Sequence, residues 1–179
     1  MDFINGGGTC PAPPYLFSVS AASGAAYRPY GYSCWLEIDH GAGWTTSYYH
    51  LRNLTAAAAV DRNAALGTIA CEICAGGYAT GPHVHFSLKY NGAYLSLEGV
   101  ELSGWTIHVG STAYTSGSIQ RDGVSLNPYS QVLNDYHTRF GTSLNTSLRF
   151  YGGAPNTAGR VALPVDEPSI TARLSSRLV

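Results

Sequence analysis

Alternation between apolar and polar residues is the strongest pattern in this chain, and it predicts β-strands. The clearest case is residues 83–90, which alternate without interruption. Successive side chains of a strand point to opposite faces, so one set would face the core and the other would face away from it. The first set is Val84, Phe86, Leu88 and Tyr90, and the second set is His83, His85, Ser87 and Lys89. The pattern therefore predicts a half-buried strand with two histidines on its outer face.

Turn residues between β-rich segments predict two hairpins. Asn91-Gly92 separates this strand from the apolar run 93–97, and Asn-Gly between two such runs is the strongest short hairpin signal. Residues 33–51 predict a second hairpin around a glycine-rich turn, and residues 105–109 predict a further strand. The predicted fold is mainly antiparallel β, with few or no helices and with a central sheet that floors an open groove.

The pattern changes beyond residue 115. Residues 127–141 begin with Asn-Pro, space their apolar residues as a short amphipathic helix does, and end in Gly. We therefore predict one domain over residues 1–115 and a linker with a short helix over residues 116–146. Residues 147–179 resemble the opening strands of a laminin-G or concanavalin-like sandwich, and they are either the start of a second β domain or an extended tail.

Composition and charge narrow the classes of function. Charged residues make up 12% of the chain, about half of the ~25% that is usual in soluble domains. The formal net charge is −1 and there is no basic run, so a nucleic-acid partner is not expected. No apolar run is long enough to span a membrane, and the first residues lack the features of a signal peptide. The protein is therefore either cytosolic or preceded by further sequence.

The four cysteines leave several interpretations open. If all of them are bridged, Cys10, Cys34, Cys71 and Cys74 allow three pairings. Cys71 and Cys74 are also spaced as a redox pair or as half of a zinc knuckle. A redox pair usually opens a helix, whereas small residues follow Cys74, so the disulfide interpretation is preferred.

The histidine pair on the strand at residues 83–90 is the candidate chemical centre. Two imidazoles on one face allow one to bind a metal ion and the other to reach its bound water, and zinc hydrolases use three protein ligands from His, Asp, Glu or Cys. Taken alone, such a pair is more often two surface histidines on an edge strand. The surrounding sequence changes this interpretation.

Two longer motifs resemble the lysostaphin-type cell-wall endopeptidases, and most closely their staphylolysin-like branch. One is Thr80-Gly81-Pro82-His83-Val84-His85-Phe86. The other runs from His40-Gly41 to Tyr48-Tyr49-His50-Leu51. The hairpin sequence Tyr90-Asn91-Gly92-Ala93 follows the first motif, as it does in that branch. The resemblance covers residues 1–115 and implies a zinc metalloendopeptidase of the peptidoglycan hydrolase class.

The resemblance also implies roles for individual residues. His85 would bind Zn²⁺, while His83 and His50 would act in catalysis. Asp2, in the phrase Met1-Asp2-Phe3, lies about where the family has a ligand aspartate. The family's remaining ligand is an upstream histidine that has no counterpart here. We therefore expect the chain to be truncated at its N-terminus and to lack that ligand.

A mechanism follows from this assignment. Zinc polarises the scissile carbonyl and lowers the pKa of its bound water to about 7. One of His50 and His83 would move the water's proton to the leaving amine and the other would stabilise the oxyanion, in an order that the sequence leaves open. Tyr49 and Tyr114 are candidates to donate to the developing charge, and their alternative role is that of core aromatics.

Three histidines are not assigned to the centre. His40 lies in a strand and turn of the family pattern and is expected to be structural. His108 and His137 have no ligand partner at a useful spacing and are expected to be surface or packed residues.

The substrate and location are likewise implied by the resemblance. A glycine-rich peptide, such as a peptidoglycan cross-bridge, is the expected partner, and the expected protein is a secreted monomer. The branch has a bridge at the positions of Cys34 and Cys74, which leaves Cys10 with Cys71. Two alternatives remain: a degenerate, non-catalytic family member that binds or regulates the cell wall, and an adhesive β-module with incidental histidines.

Overall fold

The structure, a computed structural model, describes residues 2–4, 9–10, 17–112, 115–128, 130–134 and 146–151. The described residues of Phe3–Tyr94 form one compact unit, which we call the histidine unit. Those of Leu95–Val179, together with Asp2, form another, the C-terminal unit. The fold is mainly antiparallel β, as predicted. None of the described residues belongs to a helix long and apolar enough to cross a membrane.

The histidine unit is built from two sheets. Its strands, of which the first begins and the last ends one residue outside the unit, are β1 (Asp2–Ile4), β2 (Phe17–Val19), β3 (Gly24–Tyr27), β4 (Trp35–Gly41), β5 (Trp44–Tyr49), β6 (Leu51–Arg52), β7 (Ala59–Val60), β8 (Ala65–Ile69), β9 (His83–Tyr90) and β10 (Ala93–Leu95). The larger sheet has the order β1-β9-β5-β4-β3-β7, and β10 also pairs with β9. The smaller sheet has the order β2-β8-β6, and a single 3₁₀ turn spans Pro29–Gly31.

Both predicted hairpins are present, and their turns contact each other. Asn91 and Gly92 have φ values of 48° and 80°, which suit the tight turn that joins β9 to β10. The turn between β4 and β5 contains Gly43, with φ of 86°, whose carbonyl accepts a hydrogen bond from the Asn91 amide at 2.8 Å. A Cβ on Gly43 would lie 2.2 Å from the Asn91 side-chain oxygen, so this position requires glycine.

One face of the larger sheet forms the core of the unit. On β9, Val84, Phe86 and Leu88 are buried as the alternation predicts. The prediction is wrong for Tyr90, which is 41% exposed. Tyr90 ends its strand beside the turn, where the core no longer covers the sheet, and it packs on Trp44 with ring centroids 4.6 Å apart.

The C-terminal unit contains a four-stranded antiparallel sheet and an antiparallel strand pair. Its strands are β11 (Glu101–Leu102), β12 (Trp105–Val109), β13 (Gly117–Arg121), β14 (Val124–Leu126), β15 (Gln131–Asn134) and β16 (Thr146–Tyr151). The sheet has the order β11-β12-β13-β14, and β15 pairs with β16. Val100, Trp105, Ile107 and Ile119 are buried in this unit.

The structure corrects two predictions for residues 116–146. Residues 117–126 are not a linker, because they form the hairpin β13–β14 and continue the sheet across residue 115. The signal was Asp122-Gly123, whose φ values of 50° and 78° suit a tight turn. The predicted helix is wrong for residues 131–134, which pair with β16 although their apolar spacing suits a helix. Residues 135–141 lie outside the described residues.

Candidate active site

The outer face of the central strands carries three rows of side chains. Because β4, β5 and β9 pair in register, residues from all three strands lie side by side. The rows are Trp35-Tyr49-His85, Glu37-Ser47-Ser87 and Asp39-Thr45-Lys89. The alternation that predicted His85 on this face thus places it at the end of an aromatic row.

A pocket of about 380 Å³ opens over the first two rows. Its lining residues are Trp35, Ser47, Tyr49, Ala75, His85, Ser87 and Tyr94. None of them carries a carboxylate or an ammonium group. The pocket therefore combines aromatic walls with small polar groups and one imidazole, as binding sites for small neutral groups do.

His50 and His83 lie against each other next to this pocket. Their ring centroids are 4.4 Å apart, and both residues are buried. The Nδ1 of His50 lies 2.8 Å from the Glu72 carbonyl oxygen, and the Nδ1 of His83 lies 2.8 Å from the Gly81 carbonyl oxygen. A carbonyl can only accept, so both Nδ1 atoms donate, and in the neutral ring Nε2 carries the lone pair. Nε2 is therefore the atom of each ring that can take up a proton.

The backbone at His50 is held in an unusual conformation. Its φ is 67°, in the left-handed region that non-glycine residues rarely adopt. His50 lies between β5 and β6, where the chain leaves one sheet for the other. Its carbonyl accepts from the Ala70 amide at 3.0 Å, and the Leu51 amide donates to the Cys34 carbonyl at 3.1 Å. Such conformations persist where surrounding contacts fix them, often at functional sites.

The hydroxyl of Tyr49 is bound to a loop. It donates to the Gly76 carbonyl at 2.7 Å and accepts from the amides of Cys74 and Ala75 at 3.0 and 2.8 Å. The ring of Tyr49 contacts the ring of His50, with centroids 4.2 Å apart. Donation to a substrate oxyanion, as predicted for Tyr49, would require its bond to Gly76 to break.

Two disulfides hold the same loop. Cys34 pairs with Cys74, with Cα atoms 5.9 Å apart, and Cys10 pairs with Cys71, with Cα atoms 6.1 Å apart. This is the pairing that the resemblance implies, and it removes the redox and zinc-knuckle alternatives for Cys71 and Cys74. The loop is therefore tied covalently at both Cys71 and Cys74.

Lys89 of the third row and Glu37 of the second row form a partly buried ion pair that sequence reasoning missed. Lys89 Nζ lies 2.5 Å from Glu37 Oε1, and the Tyr27 hydroxyl donates to Glu37 Oε2 at 2.6 Å. Burial opposes the charge on Lys89, but the hydrogen bond and charge of Glu37 outweigh it and raise the pKa of Lys89. Burial, and then Glu37, raise the pKa of Tyr27 well above its usual range. Lys89 also lies over the rings of Trp35 and Tyr94.

The two predicted metal donors lie on different strands. Asp2 begins β1, the strand next to β9 in the sheet order, and His85 lies on β9. Within the described residues, no three His, Cys, Asp or Glu side chains are grouped so that they could hold a metal ion. Imidazole and carboxylate are suitable in kind for zinc, but a catalytic site needs three protein ligands. The described residues thus do not fit a complete zinc site.

The remaining candidates have other surroundings. His40 is fixed by the Ser23 carbonyl and by Thr46 Oγ1, each at 2.8 Å, which agrees with the structural role expected for it. His108 lies 3.3 Å from Glu98 and is partly exposed. Tyr114 and His137 lie outside the described residues.

Sequence reasoning also missed most of the pocket wall. Strand alternation placed Ser87 on the histidine face, and alternation from Tyr49 could have added Trp35 and Ser47 once the pairing of the strands was known. The carbonyls of Glu72 and Gly81 carry no sequence signal.

Comparisons with known proteins identify the family of the chain. Residues 19–97 match the model of peptidase family M23. The solved structure of pseudoalterin, a deep-sea M23 metalloprotease, superposes with a TM-score of 0.60 at 31% identity, covering 69% of this chain and 75% of that chain. The chain belongs to peptidase family M23.

M23 relatives among characterised proteins include the staphylolysin-like branch. The beta-lytic metalloendopeptidase of Lysobacter enzymogenes is 41% identical over 120 residues, which is 64% of this chain and 66% of that protein. The enzyme of the same name from Achromobacter lyticus is 41% identical over 54% of this chain and 27% of its own length. Protease LasA of Pseudomonas aeruginosa is 38% identical over 55% of this chain and 25% of its own length. The predicted family is confirmed, and the chain spans less than two thirds of each of these relatives.

Proposed function

We propose that this M23 protein is a zinc-dependent metalloendopeptidase that hydrolyses glycine-containing peptide bonds, with peptidoglycan cross-links as its substrate class. The observation that carries the proposal is the pair His50 and His83. Their rings meet at 4.4 Å, and each is fixed with its Nδ1 proton on a backbone carbonyl. Two buried imidazoles of defined tautomer beside a pocket are suited to moving a proton during hydrolysis.

Within this proposal the two histidines share the proton chemistry. One Nε2 accepts the proton of the attacking water, and the same proton is returned to the leaving amine. The other ring, when protonated, stabilises the negative charge on the substrate oxygen. The contact between the rings supports the proposal that both functions act on one substrate bond.

The metal part of the proposal assigns Asp2 and His85 as ligands. When bound, zinc supplies Lewis-acid polarisation of the carbonyl and an activated water. Because these two donors are too few for a catalytic site, we propose that a histidine beyond the 179 residues completes the set. The 179 residues alone are then expected to bind zinc weakly and to have little or no activity.

The pocket and the disulfides support the substrate class and the location. Glycine has no side chain, so a glycine-rich peptide can lie close to a floor of Ser47 and Ser87 between the aromatic side chains of Trp35 and Tyr94. The two disulfides suit a protein that is secreted into an oxidising environment.

The test compares single variants of the natural full-length protein on a glycine-bridged peptide and on peptidoglycan. His50→Ala and His83→Ala are expected to lower kcat about 100-fold or more while retaining zinc. His85→Ala is expected to lose the metal. His108→Ala, in the C-terminal unit, is the matched control and should keep both properties. Hydrolysis that survives in His83→Ala at the normal rate would contradict the proposed mechanism.

A second candidate is a degenerate family member that binds or regulates the cell wall without catalysis. It is favoured by the lack of a three-donor group among the described residues. Full-length protein that binds peptidoglycan but holds no zinc, and cleaves nothing, would support this candidate over the enzyme.

A further inference from the structure

The hydroxyl of Tyr49 makes all of its hydrogen bonds to a single loop. Its hydroxyl has one proton to donate and two lone pairs with which to accept, and all three are used by consecutive residues of one loop. The partners are the Gly76 carbonyl and the amides of Cys74 and Ala75, at distances of 2.7 to 3.0 Å. The loop is therefore wrapped around the hydroxyl, which is fully used in holding it.

The same loop supplies the atom that orients His50. The Glu72 carbonyl, two residues before Cys74, accepts the Nδ1 proton of His50 at 2.8 Å. Displacement of this carbonyl would allow the imidazole to rotate or to exchange its tautomer. In the exchanged tautomer Nε2 would carry the proton and could no longer accept one. The position of the loop thus decides whether His50 can act as a base.

Tyr49 also contacts His50 directly. The two rings lie 4.2 Å apart, and the ring of His50 also contacts the ring of His83 at 4.4 Å. His50 has a φ of 67°, a left-handed backbone conformation that a histidine does not favour by itself. The imidazole is therefore held by its neighbours, and Tyr49 acts on it both through its ring and through the loop.

We propose that Tyr49 is a positioning residue that fixes the tautomer and orientation of His50 by anchoring residues 72–76, rather than a direct donor to the substrate. The inference rests on the proposed function for its catalytic meaning. The structural link between the hydroxyl and His50 holds whether or not a substrate is cleaved. It also gives the second tyrosine of the Tyr48-Tyr49-His50 phrase a role distinct from that of the first.

The decisive variant is Tyr49→Phe in the full-length protein, because it keeps the ring and removes only the three hydrogen bonds of the hydroxyl. The matched control is Tyr48→Phe. Tyr48 is the adjacent residue on the opposite face of β5, and its hydroxyl accepts from the Ala21 amide at 2.8 Å. Both variants lose a buried or partly buried phenol bond, but only Tyr49→Phe releases the loop.

The first readout is the ¹⁵N spectrum of the histidine side chains, which distinguishes the two neutral tautomers of each ring. Wild type and Tyr48→Phe should show His50 with its proton on Nδ1. Tyr49→Phe should show a mixture of tautomers and faster exchange of the Cys74 and Ala75 amides. Preserved protection of the β9 amides would show that the variant is folded.

The second readout is the kinetics of peptide hydrolysis. Tyr49→Phe should lower kcat about 10-fold, a part of what general acid–base catalysis contributes, with KM changed less than about 3-fold. A drop in kcat with the His50 tautomer unchanged would overturn the proposal in favour of direct donation to the substrate. Wild-type values of both kcat and tautomer would overturn it as well. If the wild-type protein cleaves nothing, the proposed function fails, while the tautomer spectra still decide the positioning role.

Discussion

Removal of the Cys34–Cys74 disulfide tests how the loop beside the histidines is held. The variant is Cys34→Ala with Cys74→Ala, which leaves Cys10–Cys71 in place. The bridge joins residues 40 positions apart, and the chain-entropy model gives about 4 kcal/mol for a loop of this length. Cys10–Cys71 closes an overlapping loop and already restricts the unfolded chain. We therefore expect a loss of about 2 to 4 kcal/mol, a large part of the 5–15 kcal/mol typical of whole domains.

The assay is urea unfolding followed by tryptophan fluorescence, with wild type and variant compared at equal protein concentration. The midpoint should fall, and the slope should rise because the unfolded chain exposes more surface when it is less constrained. Wild type in thiol reductant is the control for the loss of both bridges and should be less stable than the variant. A loss below about 1 kcal/mol would refute the reasoning, since it would mean that the unfolded chain gains little freedom without this bridge.

Three further predictions concern the sheet that carries the site. Lys89→Met leaves the buried Glu37 carboxylate without its cation and should cost about 3 kcal/mol. The double variant with Glu37→Gln should recover part of this loss, and equal losses of the two variants in urea unfolding would contradict the prediction. The pKa values of Lys89 and Tyr27 are raised in the folded protein, so the stability that these two groups contribute is complete below pH 10. That stability is lost as the pH rises through their folded-state pKa values. Wild type should therefore lose more stability than the double variant above pH 10. Leu88→Ala, at a fully buried position of β9, should cost about 2 to 5 kcal/mol by thermal or urea unfolding, and a cost below about 1 kcal/mol would show that the core is not closed there.

Local signals in the sequence were sufficient for the central strands. The alternation of residues 83–90 and the Asn91-Gly92 turn identify β9, its buried face and its hairpin, because both depend on near neighbours. The same reasoning was wrong for Tyr90, since burial at a strand end depends on what covers it from other parts of the chain. Residues 131–134 show the opposite case, in which a spacing that suits a helix gives way to pairing with a distant strand.

The sequence was sufficient to identify the histidines of the site, but not the neighbouring groups that hold them in place. Motif resemblance indicated His50, His83 and His85, and the structure brings the first two together at a ring distance of 4.4 Å. Register between strands then determines that Trp35 and Tyr49 share the row of His85. Pairing of strands that are far apart in the chain is set by the whole fold, so no local pattern contains it.

The tautomers of the two histidines illustrate why the rest could not be predicted. Each Nδ1 proton is held by a backbone carbonyl, and every residue has such a carbonyl, so Glu72 and Gly81 are not marked by their side chains. What selects these two carbonyls is the path of the loops, and for Glu72 that path is fixed by the Cys34–Cys74 bridge and the Tyr49 hydroxyl. A charged partner would have been visible in the sequence as a charged side chain, but a carbonyl partner is visible only in the folded chain. The reactive state of His50 is therefore a property of the loop's covalent and hydrogen-bonded anchors, and the residues to change when that state is tested are those anchors.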